Sequence, residues 1–257
     1  MFKYNIRSLL FFFTLAFIVV ACKPTGKITK IEANTIVIDT TNVSKGDSIA
    51  LLIIAPYKSK INAEMNQVIG YTTQSMSKDQ PEGLLNNFVA DLILKKSNNY
   101  YIPSDSQKVD FCLLNNGGFR ASIGKGAIIK ANIFDLMPFE NQLVVITLNG
   151  ESVNDMFNYI AANGGEPISG FSMGIKDALA VNIVINNKPF DKSKVYKVVT
   201  SDYLANGGDK MFFFNNAIKT EILGHKIRDA IIEYIIEENA KGNKLNSKLD
   251  KRIYYEK

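Results

Sequence analysis

The sequence predicts an α+β fold: a single domain in which mixed β-sheets are layered with helices. Three observations carry this. Segments with apolar residues at helical spacing and short segments of strand character share one chain, without the steady strand–helix alternation of a parallel α/β sheet. Of the 257 residues, 46% are hydrophobic and 21% charged, which supplies a core and is too apolar for a disordered chain. No internal repeat, low-complexity stretch or interdomain linker divides the sequence.

In chain order, residues 1–21 read as a leader. Lys3 and Arg7 precede an apolar run over 9–20, too short to span a bilayer, which takes roughly 20 residues. Val19-Val20-Ala21-Cys22 is similar to the lipobox of bacterial lipoprotein signal peptides, so Cys22 is the expected lipidation site. The alternatives are an ordinary secretion signal with a chance cysteine, or an N-terminal anchor helix. Lipidation implies export across the inner membrane and anchorage at the cell envelope, on its periplasmic or outer-membrane face. Several acyl chains anchor firmly where one is marginal.

Residues 22–46 form a tether and N-terminal strands, with Ile36, Val37 and Ile38 the strongest part. The domain proper is expected over 47–240. It opens with helical spacing at Leu51, Ile54, Ile61 and Met65, which Pro56 is expected to kink or interrupt. A strand at 68–73 follows, then a helix at 83–95 with Leu84, Phe88, Leu92 and Ile93 on one face. Residues 111–114 and 142–148 read as strands, the second stopped by Asn149-Gly150, and a helix over 152–162 is expected to take Ser152 as its N-cap. Strands at 180–185 and 195–200 are expected to form a hairpin through Asn186-Asn187-Lys188-Pro189. A helix at 226–238 closes the domain, and 241–257 reads as a charged tail.

Simple counts exclude several functions. One histidine, His225, cannot build a His-rich metal site, and it is expected at the surface or as a cap. The net charge is +5, two of it from Lys3 and Arg7 in the leader, which argues against DNA or RNA as a partner. Cys112 lies in an apolar run, as expected of a buried structural thiol, and no disulfide is expected. Only four arginines occur, so one in a glycine-rich loop, Arg120, stands out.

Three loops combine the groups that bind small molecules. Asn115-Asn116-Gly117-Gly118-Phe119-Arg120 follows a buried strand. Its glycines admit close approach to the backbone, Asn115 offers a donor and an acceptor, and Arg120 a planar fork for phosphate or ribose oxygens. Met137-Pro138-Phe139-Glu140-Asn141 precedes a strand, and by composition Phe139 belongs in the core. Ser201-Asp202-Tyr203-Leu204-Ala205-Asn206-Gly207-Gly208-Asp209 repeats the first loop's ingredients, with Tyr203 as a stacking face and Asp209 as an acceptor for a ribose diol.

Taken together, the three segments resemble, in order and spacing, the C-terminal, substrate-binding domain of the 5′-nucleotidase family, whose motifs are Asn-Gly-Gly-Gly-Ile-Arg, Pro-Phe-Gly-Asn and Phe/Tyr-Leu-Ala-x-Gly-Gly-Asp-Gly. The resemblance runs from about Asp47 to Phe214 and implies a fold like that domain's. It implies that Phe139 and Tyr203 sandwich a nucleobase, Asn115 meets its edge, Arg120 the phosphate or ribose, and Asp209 the ribose hydroxyls. Gly117, Gly118, Asn206 and Gly208 are the accompanying substrate-binding positions. Glu140 replaces the family's glycine, Lys210 replaces the glycine after Asp209, and Lys78-Asp79 stands where the family has an arginine three residues before Glu82.

Full-length members of that family carry a dinuclear metal centre in an N-terminal phosphoesterase domain, with Asp-x-His, Gly-Asn-His and Gly-His-x-His motifs. None occurs in this sequence. The resemblance therefore implies a stand-alone lipoprotein that binds nucleotides or nucleosides, with no catalytic residue and no cofactor of its own. Divalent metals such as zinc or manganese are expected only in a separate metallophosphoesterase subunit acting with it in nucleotide catabolism. The alternative is a non-catalytic nucleotide-binding lipoprotein or an interaction module.

Overall fold

The computed structural model describes Ile28 and residues 30–35 and 47–257. The leader, Cys22, the tether at 22–27 and the strand expected at 36–38 lie outside the described residues. Residues 30–35 form no regular element, although the alternation there predicts a strand. The chain divides after Ile53, and among the described residues the sheets lie in the second unit, Ile54–Lys257.

Helix α1 (Ser48–Met65) begins where the Asp47 carboxylate accepts the amides of Ile49 and Ala50. It continues through Pro56, which removes one amide donor without ending the helix, and none of its residues is buried. There follow β1 (Val68–Thr72), α2 (Leu84–Tyr100), β2 (Phe111–Leu113), β3 (Gly126–Ile129), α3 (Lys130–Leu136), β4 (Gln142–Asn149) and α4 (Gly150–Ala162). The remainder comprises β5 (Ile168–Ser169), β6 (Phe171–Lys176), β7 (Leu179–Ile185), β8 (Lys188–Pro189), β9 (Val195–Ser201), α5 (Asp202–Ala205), β10 (Lys219–Lys226), α6 (Ile227–Ala240) and β11 (Ile253–Tyr255).

The central five-stranded sheet, ordered β10-β4-β9-β2-β5, is mixed: β9 and β2 are parallel and the other neighbours antiparallel. In its interior both faces are buried, which is why β2, β4 and β9 carry adjacent apolar residues instead of a strict alternation. Cys112, Leu143, Val145 and Val199 enter a core shared with α2, α3, α6 and the β1–β3 ladder. Phe111, Val144, Ile146, Leu148 and Val198 point the other way, into a second core under α4 and the sheet β11-β6-β7-β8. Cys112 is a free, buried thiol, and burial holds it well above the usual thiol range.

Several local expectations need correction. Strands β7 and β9 do not form a hairpin but belong to different sheets. Asn186 and Asn187, with φ of 47° and 62°, instead make the two-residue turn from β7 to β8, a backbone that asparagine tolerates and hairpins favour. Helix α4 is capped by Asn149, whose side chain accepts the amide of Ser152 at 2.9 Å, so the residue that ends β4 also starts the helix. His225 lies in β10, exposed and stacked on Tyr100 with ring centroids 3.7 Å apart. The charged segment after residue 240 is part of the domain: β11 pairs in parallel with β6, Leu245 bonds to Tyr71 and Thr73, and Arg252 forks onto Asp91.

Candidate functional site

Strand directions in the central sheet bring three chain segments to one edge. Strands β2 and β9 are parallel, with Cys112 opposite Val199, so their following loops emerge side by side. Strand β4 is antiparallel to β9, with Leu143 opposite Ser201, so the segment entering β4 arrives where β9 ends. The three segments enclose a cavity of about 580 Å³, a size that suits a small organic ligand.

Asn115, Gly117, Gly118 and Arg120 line this cavity from the first loop, Phe139 from the second, and Tyr203 and Asp209 from the third. Seven of the nine substrate-binding positions read from the sequence are thus brought together. Asn206 and Gly208 are not on its wall; they border a neighbouring depression that shares Tyr203 and Asn141 with it. Glu140 and Asn141 also line the main cavity. Phe139, expected in the core on composition alone, is 44% exposed, and Tyr203 is 47% exposed. Two half-exposed rings on one cavity leave aromatic faces available to a flat ligand.

Tyr203 and Asp209 hold one another. The Tyr203 hydroxyl donates to Asp209 Oδ1 at 2.7 Å, which raises the phenol above its usual range, and it accepts the Asp209 amide at 3.2 Å. Asn115 Nδ2 donates to the other carboxylate oxygen, Oδ2, at 2.5 Å. A carboxylate has about four acceptor positions, so two donors leave two, the number a vicinal diol needs. Asp209 itself sits at φ 51°, a left-handed conformation braced by Tyr159, whose hydroxyl donates to the Asp209 carbonyl at 2.7 Å. Among the described residues the side-chain donors to Asp209 are Asn115 and Tyr203; Lys210 is not one of them.

Gly208 acts from behind. A Cβ built there would lie 2.5 to 2.6 Å from three consecutive carbons of the Tyr203 ring, over its face, so the ring packs on bare backbone. Gly117 plays a similar part, since a Cβ there would meet Asn115 Nδ2 at 3.2 Å, beside the bond to Asp209.

Phe139 is presented by a turn wrapped around a buried guanidinium. Arg228, at the start of α6, donates through Nη1 to the Pro138 carbonyl at 3.3 Å and, at 3.5 Å, to those of Met137 and Phe139. Its Nη2 binds Glu140, which Lys226 also binds, and the guanidinium lies 4.2 Å from the Phe134 ring centroid. Lys226 and Arg228 hold the Glu140 carboxyl at about 2, far below the usual range. Glu140 is therefore an ionised carboxylate whose charge is paired with Lys226 and Arg228. Sequence reasoning missed Arg228; the available signal was a rare arginine beside Ile227 and Ala230 on an apolar helix face.

The first loop is fixed from outside the cavity. Lys78 Nζ donates to the carbonyls of Asn116 and Phe119 at 3.0 and 2.9 Å, so its charge is engaged with backbone. The Arg120 amide donates to the Leu136 carbonyl at 2.9 Å, joining the first loop to the end of α3, just before the second loop. Glu82 accepts the amides of Asp250 and Lys251 and thereby anchors the C-terminal segment. Among the described residues, no group of three or more His, Cys, Asp or Glu side chains is placed to hold a metal ion.

Comparison with known proteins gives the family. The family model described as 5′-nucleotidase, C-terminal domain, matches residues 68–216, more than half of the chain. The trifunctional nucleotide phosphoesterase protein YfkN of Bacillus subtilis is 26% identical over 223 residues, covering 77% of this chain and 14% of that protein. A 5′-nucleotidase of Vibrio cholerae is 25% identical over 192 residues, covering 70% and 33%. The crystal structure of a 5′-nucleotidase precursor from Thermus thermophilus superposes with a TM-score of 0.66 at 24% identity, over 80% of this chain and 43% of that one, a likeness of fold. The chain spans a third or less of the length of these two curated relatives. With the motif segments converging on one cavity and the family model covering all three, the chain belongs to the 5′-nucleotidase C-terminal domain family.

Proposed function

We propose that this domain binds nucleosides and nucleotides, with the base between Phe139 and Tyr203, the ribose diol on Asp209 and Arg120 toward phosphate or ribose oxygens. The observation that carries the reading is the pair of half-exposed rings on one cavity with a prepared carboxylate beside them. Calorimetry with AMP and ribose 5-phosphate tests it. A base sandwich predicts binding of AMP well above that of ribose 5-phosphate, since stacking needs a π face on the ligand. Equal affinity for the two overturns the sandwich.

The same reading places the chain in nucleotide catabolism as a lipoprotein of the cell envelope, beside a separate metallophosphoesterase chain that supplies the divalent metals and the phosphate-ester hydrolysis. Its support is the leader ending in Val19-Val20-Ala21-Cys22 and the single histidine. Cys22→Ala is expected to release the protein from membranes, and retention there refutes lipid anchorage. Copurification with a metallophosphoesterase supports the enzymatic setting. Nucleoside binding without any such partner supports the alternative, a capturing protein.

A further inference from the structure

The first ligand loop hangs on one residue whose polar groups all find partners. Asn116 donates its side-chain amide to the Gly165 carbonyl at 3.0 Å and accepts from Asn86 at 2.7 Å. Its carbonyl accepts from Lys78. Its backbone amide donates to Glu166 Oε2 at 2.8 Å. Glu166 is only 9% exposed, and among the described residues its carboxylate accepts a hydrogen bond from the Asn116 amide alone. A lone carboxylate in such a place is expensive to ionise, yet ionised it is the strongest acceptor available to that amide.

We propose that Glu166 is a positioning residue of the ligand cavity, holding the loop that carries Asn115, Gly117 and Gly118 through the Asn116 amide, and that ligand affinity rises as this carboxyl ionises. The groups facing it are Asp209 after α5, Lys78 after β1 and Tyr159 on α4. Burial and the Asp209 charge push the Glu166 carboxyl up to about 7, against the Asn116 amide and Lys78, which lower it. Above that pH the loop hangs on a charge-assisted bond; below it, on the weaker bond to a neutral carboxyl. By linkage, a ligand that requires the held loop releases a proton from Glu166.

The ligand test rests on the nucleoside reading of the cavity, and a second readout does not. Adenosine is a suitable probe because it carries no charge between pH 5.5 and 8.5. Its affinity for the full chain is expected to fall about fivefold from pH 8 to pH 6, the difference between a charged and a neutral acceptor. Glu166→Gln is expected to bind it with a flat profile. In the free protein, the Asn116 amide proton is expected to titrate with a midpoint near 7, and to stop doing so in Glu166→Gln. An Asn116 amide that does not titrate in the wild-type chain refutes the proposal, whatever the ligand does. So does an adenosine affinity that rises as pH falls, or a Glu166→Gln profile like that of the wild type. If the amide titrates and adenosine does not bind, the nucleoside reading fails while the loop contact stands, and the pH-dependent affinity is withdrawn.

Discussion

Gly208→Ala separates the geometry of the site from the stability of the fold. The added methyl would lie 2.5 to 2.6 Å from three carbons of the Tyr203 ring, where carbon–carbon contacts settle at about 3.5–4.0 Å. The ring must therefore move by roughly 1 Å or more. It is 47% exposed, so it can swing outward with little loss of buried area, and the stability cost is expected to stay within about 1 kcal/mol. The swing breaks the 2.7 Å bond to Asp209 and misplaces one stacking face. Base stacking is worth ~1–3 kcal/mol, so affinity for adenosine or AMP is expected to fall by about one to two orders of magnitude. Thermal melting and calorimetry on the same samples check the split. Unchanged affinity refutes the role of the ring. A large loss of melting temperature shows instead that the glycine serves the fold.

Other outcomes follow from the same contacts. Tyr203→Phe keeps the stacking face and loses the hydroxyl that holds Asp209, so calorimetry should find a smaller loss than in Tyr203→Ala or Phe139→Ala, which each cost about ten- to a hundredfold. Asp209→Asn is expected to weaken ribonucleosides more than their 2′,3′-dideoxy analogues, and equal losses would remove Asp209 from the ribose. Glu166→Gln also tests stability against pH. Because folding raises the Glu166 carboxyl from 4.5 to about 7, its favourable contribution is complete below 4.5 and is lost as pH rises to about 7. The wild type then carries a cost of up to about 3 kcal/mol at pH 8, so Glu166→Gln is expected to melt higher than wild type at pH 8, with the gap narrowing at pH 5.

The elements most legible in the sequence are those buried on both faces. Strand β2 is apolar throughout, β4 carries the run Leu143–Ile146 and β9 the pair Val198-Val199, and they are bounded by Asn-Gly pairs or a Ser-Asp step, so their loops could be read before their partners were known. Elements whose stability comes from neighbours were hidden. β10 is an edge strand with mostly exposed side chains, so Lys219–Lys226 shows no apolar face. β11 is three residues long after a run of charges, and its pairing with β6 is a contact that local pattern cannot announce. The β7–β9 hairpin failed for a related reason: adjacency in sequence suggested pairing, whereas the Asn186-Asn187 turn spends its reversal on β8.

The same distinction runs through the site. Most of its lining was legible because Asn115, Arg120, Tyr203 and Asp209 are polar, charged or aromatic residues beside glycine pairs at strand ends, whereas Phe139 was expected in the core by composition and only the resemblance marked it. The residues that hold the lining were harder to see: the resemblance marked Lys78 only by position, and Arg228 and Glu166 act largely through backbone atoms of the loops, a contact that leaves no pattern in the sequence of either partner. Arg228 and Glu166 act from buried positions, where a charge is costly unless it is paired or the loop geometry it secures matters. Arg228 secures the turn under Phe139, and Lys78 and Glu166 grip Asn116 from opposite ends of its peptide groups. Asn115 then transmits that hold to Asp209, and Asp209 to Tyr203. The loop at 115–118 and the ring at 203 are thus linked through Asn115 and Asp209, so a change at Glu166 is expected to reach the stacking face without touching it.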